Sequence, residues 1–583
     1  MLFLELTEIF EKLESTSKRL EMTDDLAKLF ANARQSEVKH LTYLTQGILV
    51  PSHFGIELGI GDKLAEQAIS LVSGKSIREV EALYRKTGDL GDAARQLLEK
   101  KEQKSLVGLK TGLTSEKVYE NFYKIATTSG EGSQDFKISL LGELLTNAEA
   151  NEAKVIIRFV TGNLRLGIAE ATIIDSFSVV KSGDKSLKPV IERAFNLTSD
   201  LGLVAELLFT KGLSEVEKII PTPFHPIRPA LAERLPSAKE IIEKIGECAA
   251  EGKYDGLRLQ IHREGDRVEI YSRKQEKITH MFPDVVTAVK KQFSSTKIIF
   301  EGEALAIDEE GNSFAFQETI QRKRKHGIAE KIGELPLKLF AFELLYADGR
   351  DYTNTSFSER RKKLESLIVK KGLIEPSRLI YVKTPKQLER FFLECVEQGL
   401  EGVMAKDLAS PYVAGARKFA WIKLKKSYST KLSDTLDVVV IGYYYGKGKR
   451  TKFGFGGLLT AIYEPSKNRF RSIAKIGTGF TEKELQAFSD SLTKLITKQK
   501  PPEVDSLLTP DEWVLPRVVV EVNADEITRS PMHTCGMSEK QGGLALRFPR
   551  LISIREDKLA KDATTEEEVI SLYELQGKNR IQE

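Results

Sequence analysis

The chain has 583 residues, of which 41% are hydrophobic and 30% are charged. This length exceeds what one hydrophobic core supports, so we expect about three to four domains. The formal net charge of +4 is small, so any binding of nucleic acid must come from local basic faces. The three cysteines, Cys248, Cys395 and Cys535, match no zinc-binding spacing and predict no disulfide framework.

The N-terminal segment does not resemble a targeting signal. Glu5 and Glu8 interrupt its apolar run, which argues against a signal peptide. No stretch approaches the roughly 20 apolar residues that a helix needs to span a bilayer. We therefore expect a soluble, intracellular protein without membrane contact.

Residues 1–220 are predicted to be helical, because apolar residues recur at helical spacing through Leu2–Leu29 and Phe136–Phe177. Two glycine-containing segments interrupt the pattern, the loop 127–133 and the corner Gly162–Gly167. Either could offer backbone N–H groups to phosphates, and each is also compatible with an ordinary turn between helices.

The region 221–427 has a mixed α/β pattern and begins at a cluster of four prolines, Pro221, Pro223, Pro226 and Pro229. Its alternating apolar residues and its helical spacing indicate an α+β domain. The predicted elements are strands at 257–262, 267–272, 297–307, 337–346, 402–406 and 419–425, and a helix near 358–371.

The region 428–583 predicts short strands separated by glycine-rich turns, with one internal helix near 481–498. This combination favours a small β-barrel of the OB-fold kind. Thr565, followed by acidic residues, is the expected start of a final helix at 564–575. The predicted strands lie at 437–442, 457–463, 470–476 and 517–523.

The segment from Glu251 to Arg258 is the first candidate for reaction chemistry. It reads Glu-Gly-Lys-Tyr-Asp-Gly-Leu-Arg and precedes two alternating runs, which predict a β-hairpin with Lys253 at its mouth. A neutral lysine amine is a nucleophile, and neighbouring cations or desolvation favour that neutral form. Gly256 would allow a close approach of the backbone. Because the pattern alone arises readily by chance, the residues that follow it decide its meaning.

Further charged and aromatic side chains follow at strand ends. Glu301-Gly302-Glu303 interrupts an apolar strand, where carboxylates are costly unless they are paired or bind a metal. The plain alternative is a solvated surface position for each charged residue of the series and a core position for its phenylalanine. The other members, in chain order, are Arg273, Phe342, Glu401, Lys423, Lys425, Arg555 and Lys558.

The order of these motifs resembles the covalent nucleotidyltransferase superfamily, and within it the ATP-dependent DNA ligases of the archaeal and eukaryotic type. Lys253–Arg258 looks like the nucleotidylation motif, and Arg547–Lys558 looks like the C-terminal ligase motif. Asp434–Gly442 resembles the beginning of the ligase OB-fold. The segments 128–133 and Gly162–Ala169 resemble parts of a ligase DNA-binding domain, so the resemblance covers the chain from the helical region to its end.

The resemblance implies a multidomain protein: an all-α DNA-binding domain at 1–220, an α+β nucleotidyltransferase (adenylation) domain at 221–427 and a β-barrel OB-fold domain at 428–583. It also implies a three-step reaction. A lysine attacks the α-phosphorus of ATP, AMP passes to the 5′-phosphate at a DNA nick, and the 3′-hydroxyl displaces AMP. Such nick sealing serves DNA replication, repair, recombination and cell division.

The site residues of the family carry over to matching positions of this sequence. Lys253 is the expected catalytic nucleophile, and Glu303 and Glu401 are expected to hold Mg²⁺, with Mn²⁺ left open. ATP is the expected nucleotide, with ADP or GTP left open. The expected nucleotide contacts are Glu251, Arg258, Arg273, Glu303, Phe342, Arg417, Lys423, Lys425, Arg555 and Lys558.

Each nucleotide contact has an expected role. Glu251 would read the adenine edge, and Phe342, or alternatively Phe340, would stack on the base. Arg258 and Arg273 would contact the sugar or the incoming phosphate, and Arg417 would be a further nucleotide contact. Lys423 and Lys425 would neutralise the α-phosphate. Arg555 and Lys558 would orient the pyrophosphate after a hinge motion between the second and third domains.

The expected partner is nicked double-stranded DNA, held through its phosphates and groove shape. Tyr443–Phe453 interleaves aromatic and basic residues, which suits contact with a nucleic-acid backbone, and a plain basic hairpin loop is the alternative. Gln103–Val107 occupies the place of a sliding-clamp segment but lacks paired aromatics, so an ordinary helix–loop junction stays open. We expect a monomer in the cytoplasm of a prokaryotic or archaeal-like cell.

Three rival functions are considered. An RNA ligase or capping enzyme shares the chemistry, but the N-terminal helical region and the Arg555–Lys558 ending argue against it. An NAD-dependent ligase would need a four-cysteine zinc site that three scattered cysteines cannot build. A non-catalytic DNA-binding scaffold belongs to a different class, and the intact Lys253, Glu303, Glu401 and Lys423 argue against such decay.

Overall fold

The computed structural model describes residues 1–99, 112–164, 166–308, 319, 322, 334–425, 435–446, 456–480, 488–489, 491–538 and 541–582. The chain divides into two compact units. The first comprises Met1–Tyr84 and Leu90–Leu424, and the second comprises Arg85–Asp89 and Lys425–Glu583. The three-domain division with boundaries at 220 and 427 stays a prediction.

The N-terminal region is helical, as its apolar periodicity predicts, and buries phenylalanines such as Phe10, Phe30 and Phe177 in its core. Its helices are α1 Phe3–Ser15, α2 Arg19–Asn32, α3 Val38–Gln46, α4 Asp62–Ser73, α5 Ile77–Thr87, α6 Leu90–Glu99, α7 Ser115–Thr127, α8 Ser133–Asn147, α9 Ala150–Val160, α10 Glu170–Ser182, α11 Lys188–Thr198, α12 Leu201–Thr210 and α13 Leu213–Glu217.

Both glycine-containing segments connect helices. The loop 127–133 joins α7 to α8, and the corner Gly162–Gly167 joins α9 to α10. Gly130 and Gly162 have positive φ angles of 98° and 68°, which glycine adopts without steric cost. Arg165 lies outside the described residues, and the role of these segments in phosphate binding stays a prediction.

The α/β part of the first unit contains two sheets. The strands are β1 Leu231–Arg234, β2 Cys248–Lys253, β3 Leu257–Glu264, β4 Arg267–Ser272, β5 Lys297–Ala306, β6 Leu337–Ala347, β7 Arg350–Asp351, β8 Ile374–Pro376, β9 Leu379–Val382, β10 Gly402–Asp407 and β11 Arg417–Lys425. The five-stranded sheet has the order β1-β11-β10-β2-β9, and the six-stranded sheet has the order β4-β3-β5-β6-β7, with β8 beside β6. The helices are α14 Ala238–Ile245, α15 Pro283–Gln292, α16 Phe357–Leu367 and α17 Pro385–Glu397.

The predicted location of Lys253 at the mouth of the β3–β4 hairpin is wrong. Lys253 ends β2 in the five-stranded sheet, and the chain crosses to β3 of the other sheet within residues 254–256. A Cβ atom at Gly256 would overlap the carbonyl oxygen of Ala304 and lie 3.0 Å from Cδ1 of Leu305. Glycine is therefore required where the two sheets meet.

The proline-rich segment is held by hydrogen bonds on both of its sides. The backbone N–H of Ile227 donates to Oε1 of Gln260 at 2.7 Å, and Nε2 of Gln260 donates to the carbonyl of Ile227 at 2.9 Å. Ser199 donates to the carbonyl of Pro226 at 2.6 Å. The segment is thus hydrogen-bonded both to the helical region and to β3, and the stiff boundary at its prolines stays a prediction.

Helix α16 carries two buried arginines, Arg360 and Arg361, which form ion pairs with carboxylates of the two sheets. Arg360 donates to both carboxylate oxygens of Glu343 at 2.8 and 3.1 Å, and both side chains are fully buried. Arg361 donates to Oε1 of Glu251 at 3.2 Å. Buried charges need such partners, because an uncompensated ion in the interior is costly.

The second unit contains a mixed eight-stranded sheet, a separate two-stranded sheet and a C-terminal helix. The strands are β12 Leu436–Tyr444, β13 Gly457–Glu464, β14 Arg469–Ile476, β15 Ile496–Thr497, β16 Val504–Asp505, β17 Glu512–Val514, β18 Val519–Asn523, β19 Glu526–Ser530, β20 Gly543–Arg547 and β21 Arg550–Ile554. The main sheet has the order β15-β17-β12-β13-β14-β16, β18 pairs with β12 and β21, and β19 and β20 form the two-stranded sheet. No pairing among these described strands closes a barrel.

The helices predicted for this unit are only partly observed. Most of 481–490 lies outside the described residues, and the end of the predicted helix 481–498 is wrong, because Ile496–Thr497 form a strand against β17. The final helix α18 spans Glu566–Gln582, and Thr565 caps it as predicted, with its Oγ1 accepting from the N–H of Glu568 at 3.3 Å. Among the described helices, none is long and apolar enough to cross a membrane.

The Arg360–Glu343 pair predicts a large stability difference. Arg360→Met should lower the free energy of unfolding by about 3–5 kcal/mol, because it leaves the Glu343 carboxylate buried without its partner. Urea unfolding followed by fluorescence of Trp421, in a Trp513→Phe background, measures this value, since these are the two tryptophans of the chain.

Arg350 offers the matched control. It pairs with Glu359 at 2.6 Å, but the side chains of this pair are 56% and 46% exposed. Arg350→Met should therefore change the free energy of unfolding by less than about 1 kcal/mol. Equal losses for the two variants would contradict the structural role given to Arg360.

Candidate active site

Lys253 lies between carboxylates where the two sheets meet. In the antiparallel pairing of β2 with β10, Lys253 is opposite Gly402, and the N–H of Glu401 donates to the carbonyl of Lys253 at 2.9 Å. The ammonium group of Lys253 also forms an ion pair with the carboxylate of Glu401. The two side chains are 20% and 25% exposed, so both keep access to a ligand.

Glu303 approaches Lys253 from the other sheet. It lies on β5 opposite Arg258 of β3, and its Oε1 accepts a hydrogen bond from the N–H of Gly256 at 3.3 Å. Burial raises the pKa of Glu303 to about 7, while the charges of Lys253 and Arg258 oppose that rise. Additional positive charge near Glu303 would therefore favour its ionised form.

Arg258 is held in place by a buried carboxylate. Its Nη2 donates to Oε2 of Glu301 at 2.8 Å, and its Nη1 donates to the carbonyl of Ala230 at 3.0 Å. The hydroxyl of Tyr412 donates to the same Oε2 at 2.9 Å. Burial raises the pKa of Tyr412 well above its usual value, so this hydroxyl stays protonated. Arg273, exposed after β4, lines a pocket together with Arg258 and Glu301.

Glu251 occupies a buried cluster of charges. Its Oε2 pairs with Nζ of Lys406 at 2.8 Å, and its Oε1 accepts from Arg361. Burial lowers the pKa of Lys406, and the carboxylates of Glu251 and Glu343 oppose that shift. Glu251 is thus fixed by two cations rather than solvated at the surface.

Aromatic rings surround the predicted nucleotide contacts. Phe342 lies edge-to-face with Trp421, with a centroid distance of 6.0 Å, and the guanidinium of Arg258 lies 5.5 Å from each of these ring centroids. Phe340 instead stacks on Tyr254 at 4.2 Å with an interplanar angle of 6°. Both phenylalanines alternate with buried aliphatic residues along β6.

The predicted basic strand is β11. Arg417 is its first residue and Lys425 its last. Trp421, Lys423 and Lys425 occupy alternate positions and therefore share one face of the strand. Lys423 pairs in the sheet with Arg234 of β1. Because Trp421 of this face packs beside Phe342, the two lysines continue along the face that borders the aromatic rings.

Arg555 and Lys558 lie in the second unit, where both contact Asp437. Nη1 of Arg555 is 3.1 Å from Oδ1 of Asp437, and Nζ of Lys558 is 2.6 Å from its Oδ2. Arg555 also forms two hydrogen bonds with Asp557, at 2.9 and 2.8 Å. The two cations of the C-terminal motif are thus next to each other and share a carboxylate.

Sequence reasoning missed Arg361, Tyr412 and Asp437. Arg361 falls on the buried face of α16 with Phe357 and Leu364, so arginines within an apolar helical stripe were an available signal. A second available signal was the acidic residue Asp437 near the start of the valine-rich strand β12. Tyr412 lies in a loop and carries no local signal, because its partners Glu301 and Ala230 are distant in the chain.

The arrangement supplies a lysine amine, carboxylates and several cations beside aromatic rings, which suits a negatively charged nucleotide. Within the described residues, no cluster of three or more His, Cys, Asp or Glu side chains could hold a metal by itself. The predicted clamp segment Gln103–Val107 lies outside the described residues, as does most of the basic segment Tyr443–Phe453.

Comparisons with known proteins agree with this picture along the whole chain. The family model "DNA ligase N terminus" matches residues 2–178. The model "ATP dependent DNA ligase domain" matches 229–425, which contains every predicted site residue except Arg555 and Lys558. The model "ATP dependent DNA ligase C terminal region" matches 451–558.

Curated relatives extend over nearly the full length. A "Probable DNA ligase" of Dictyoglomus turgidum is 45% identical over 100% of this chain and 99% of its own. A "DNA ligase" of Nitrosopumilus maritimus is 43% identical over 98% of each chain. The solved structure Pmar-Lig_PreS3 covers 94% of this chain and 99% of its own at 17% identity, with a TM-score of 0.55, which supports the fold alone.

These matches define the class as a ligase whose ATP-dependent central domain lies between characteristic N-terminal and C-terminal regions. The chain belongs to the family of ATP-dependent DNA ligases. It is an enzyme that seals nicks in DNA at the expense of ATP.

Glu303 predicts a stability difference that depends on pH. Its pKa of about 7 in the folded protein exceeds the ordinary value of 4.5, so its contribution to stability is fully present below about pH 4.5 and is lost as the pH rises to about 7. Glu303→Gln should therefore match the wild type at about pH 4 and exceed its free energy of unfolding by about 1–3 kcal/mol near pH 8. Urea unfolding at both pH values measures this difference. A variant that is less stable at pH 8 would contradict the cost assigned to the buried carboxylate.

Proposed function

We propose that Lys253 is the residue that carries AMP during the reaction. The observation that supports this role is the position of its amine, paired with Glu401 of one sheet and close to Glu303 of the other. Nζ of Lys253 attacks the α-phosphorus of ATP, a nitrogen–phosphorus bond forms, and the bond to pyrophosphate breaks. Oε2 of Glu401 is the nearest acceptor for the proton that leaves the amine.

The nucleotide lies between the aromatic rings and the buried charges. Phe342 stacks on the adenine, and this choice over Phe340 is supported by the stacking of Phe340 on Tyr254. Glu251 accepts a hydrogen bond from the adenine edge, for which its pairing with Lys406 orients it. The sugar and the phosphates are contacted by Arg258, Arg273, Arg417, Lys423 and Lys425.

Two carboxylates, Glu303 and Glu401, fit a magnesium ion. Oxygen atoms are the ligands that Mg²⁺ prefers, and it commonly combines one or two carboxylates with substrate phosphates. The raised pKa of Glu303 fits as well, because a dication would stabilise the ionised form that burial disfavours. When bound, the ion would neutralise phosphate charge and, as a positive charge beside Lys253, favour the neutral amine.

The next two steps transfer AMP to the 5′-phosphate at the nick and seal the strand. The attacking 3′-hydroxyl forms the new phosphodiester bond and displaces AMP. Contacts with DNA phosphates suit the helical connections at 127–133 and 162–169 and the basic segment 443–453. We also assign an OB-fold to the second unit, on the basis of its short strands around β12. We further propose that the protein works as a monomer in the cytoplasm and that a sliding clamp binds at Gln103–Val107.

Arg555 and Lys558 orient the pyrophosphate leaving group in the first step. Two adjacent cations suit this role, because pyrophosphate carries several negative charges. They would be needed for self-adenylation but not for sealing a nick that already carries AMP.

A labelled-nucleotide assay tests the role of Lys253. Wild-type protein incubated with ATP labelled at the α-phosphate and Mg²⁺ should form a covalent AMP adduct, and added nicked DNA should then remove the label from the protein. Lys253→Ala should form no adduct, because alanine has no amine that could attack the α-phosphorus.

Lys383→Ala is the matched control, since Lys383 lies in the same region but is 70% exposed and pairs with Glu247 at 3.4 Å. It should form the adduct at the wild-type rate. An adduct that persists in Lys253→Ala, or one that nicked DNA does not discharge, would refute the proposed mechanism.

A further inference from the structure

The carboxylate of Asp437 bridges the two cations of the C-terminal motif. It accepts from Nη1 of Arg555 at 3.1 and 3.3 Å and from Nζ of Lys558 at 2.6 Å. The Asp437 side chain is 14% exposed, whereas those of Arg555 and Lys558 are 26% and 31% exposed. One carboxylate therefore occupies donors of both cations at once.

Two further carboxylates surround the same cations. Asp557 accepts two hydrogen bonds from Arg555, which lower the pKa of Asp557 to about 2 and keep it ionised. Glu521 lies opposite Asp437 in the pairing of β12 with β18. Hydrogen bonds from Thr435 and Ser553, aided by the charges of Arg555 and Lys558, lower the pKa of Glu521.

The charge of this cluster does not favour an anionic ligand. Its three carboxylates outweigh its two cations by one negative charge at neutral pH. Pyrophosphate would be repelled by such a cluster unless the cations exchange a carboxylate for a phosphate. Arg555 and Lys558 keep 26% and 31% of their side chains exposed, so a phosphate can reach them and replace the carboxylate.

Asp437 is the fixed member of the cluster. Its backbone N–H donates to Oγ1 of Thr564 at 3.0 Å, and its carbonyl accepts from the N–H of Thr564 at 2.9 Å. It is the second residue of β12, which pairs with both β13 and β18. The side chains of Arg555 and Lys558 are longer and more exposed, so they are the members that can change partners.

We propose that Asp437 is a positioning residue that holds Arg555 and Lys558 away from phosphate groups between adenylation events. This inference rests on the role in pyrophosphate orientation proposed for the two cations. In the adenylation step the cations leave Asp437 for the pyrophosphate. In the two DNA steps Asp437 neutralises them, which prevents pyrophosphate from binding again and removing AMP from Lys253.

The Asp437→Asn variant tests the proposal, because it removes the charge and keeps the size of the side chain. Self-adenylation at ATP concentrations below KM should become about two- to tenfold faster, as expected for the loss of two partly exposed ion pairs. The concentration of added pyrophosphate that strips half of the AMP from the adenylated enzyme should fall by a similar factor. If Asp437 had only a structural role, its replacement would increase neither the rate of self-adenylation nor the sensitivity of the adduct to pyrophosphate.

Glu521→Gln is the matched control, since it removes the same charge from the neighbouring strand, and the hydrogen bonds of Glu521 go to Thr435 and Ser553. It should change both quantities less than about twofold. Sealing of a nick that already carries AMP should proceed at the wild-type rate in both variants, which verifies that they are folded. Asp437→Glu keeps the charge but shifts its position. Its rate of self-adenylation and its sensitivity to pyrophosphate should lie between those of the wild type and Asp437→Asn.

Slower self-adenylation in Asp437→Asn, or equal effects of Asp437→Asn and Glu521→Gln, would overturn the proposal. The double variant Arg555→Ala/Lys558→Ala separates this failure from that of the proposed function. If the double variant forms the adduct at the wild-type rate, the role of the two cations is wrong and the role of Asp437 fails with it. If it is slow while Asp437→Asn is not accelerated, only the role of Asp437 is wrong.

Discussion

The geometry of this ligase depends on the junction between its two sheets, where a lysine must meet carboxylates from both. Lys253 ends β2 and pairs with Glu401 beside β10, whereas Glu303 belongs to β5 of the other sheet. Only residues 254–256 connect β2 to β3, and three residues span at most about 10 Å. The amine is thereby confined to the space between the sheets, and Gly256 makes this approach sterically possible.

Buried ion pairs beneath this junction fix the side chains that border it. Arg360 and Arg361 are consecutive in α16, and they form ion pairs with Glu343 and Glu251, respectively. Glu301 likewise orients Arg258 by accepting a hydrogen bond from its guanidinium, and the hydroxyl of Tyr412 donates to the same carboxylate. Such pairs cost desolvation energy, so their value lies in orientation rather than in net stability. The proposed nucleotide pocket is thus built from charges that already have partners, which a ligand must complement rather than replace.

The sequence allowed prediction of the elements but not of their assembly. Alternation along β3, β5 and β6 and helical spacing in the N-terminal region are local signals, and the structure follows them. The sheet to which Lys253 belongs could not be predicted, because β2 pairs with residues about 150 positions away in β10. For the same reason the Tyr412–Glu301 contact and the Asp437–Arg555 pair were invisible. The end of the helix predicted at 481–498 failed because pairing with β17 overrides its helical periodicity.

The central claim is that Lys253, and no other amine of this cationic site, becomes bonded to AMP. Lys423 and Lys425 are the alternatives nearest in kind, since both lie on the strand face that borders the aromatic rings. Proteolysis of the protein after incubation with ATP and Mg²⁺, followed by mass spectrometry of the peptides, distinguishes them. The structure predicts that AMP is found on the peptide that contains Lys253. AMP on a peptide containing Lys423 or Lys425 would contradict the assignment of the nucleophile.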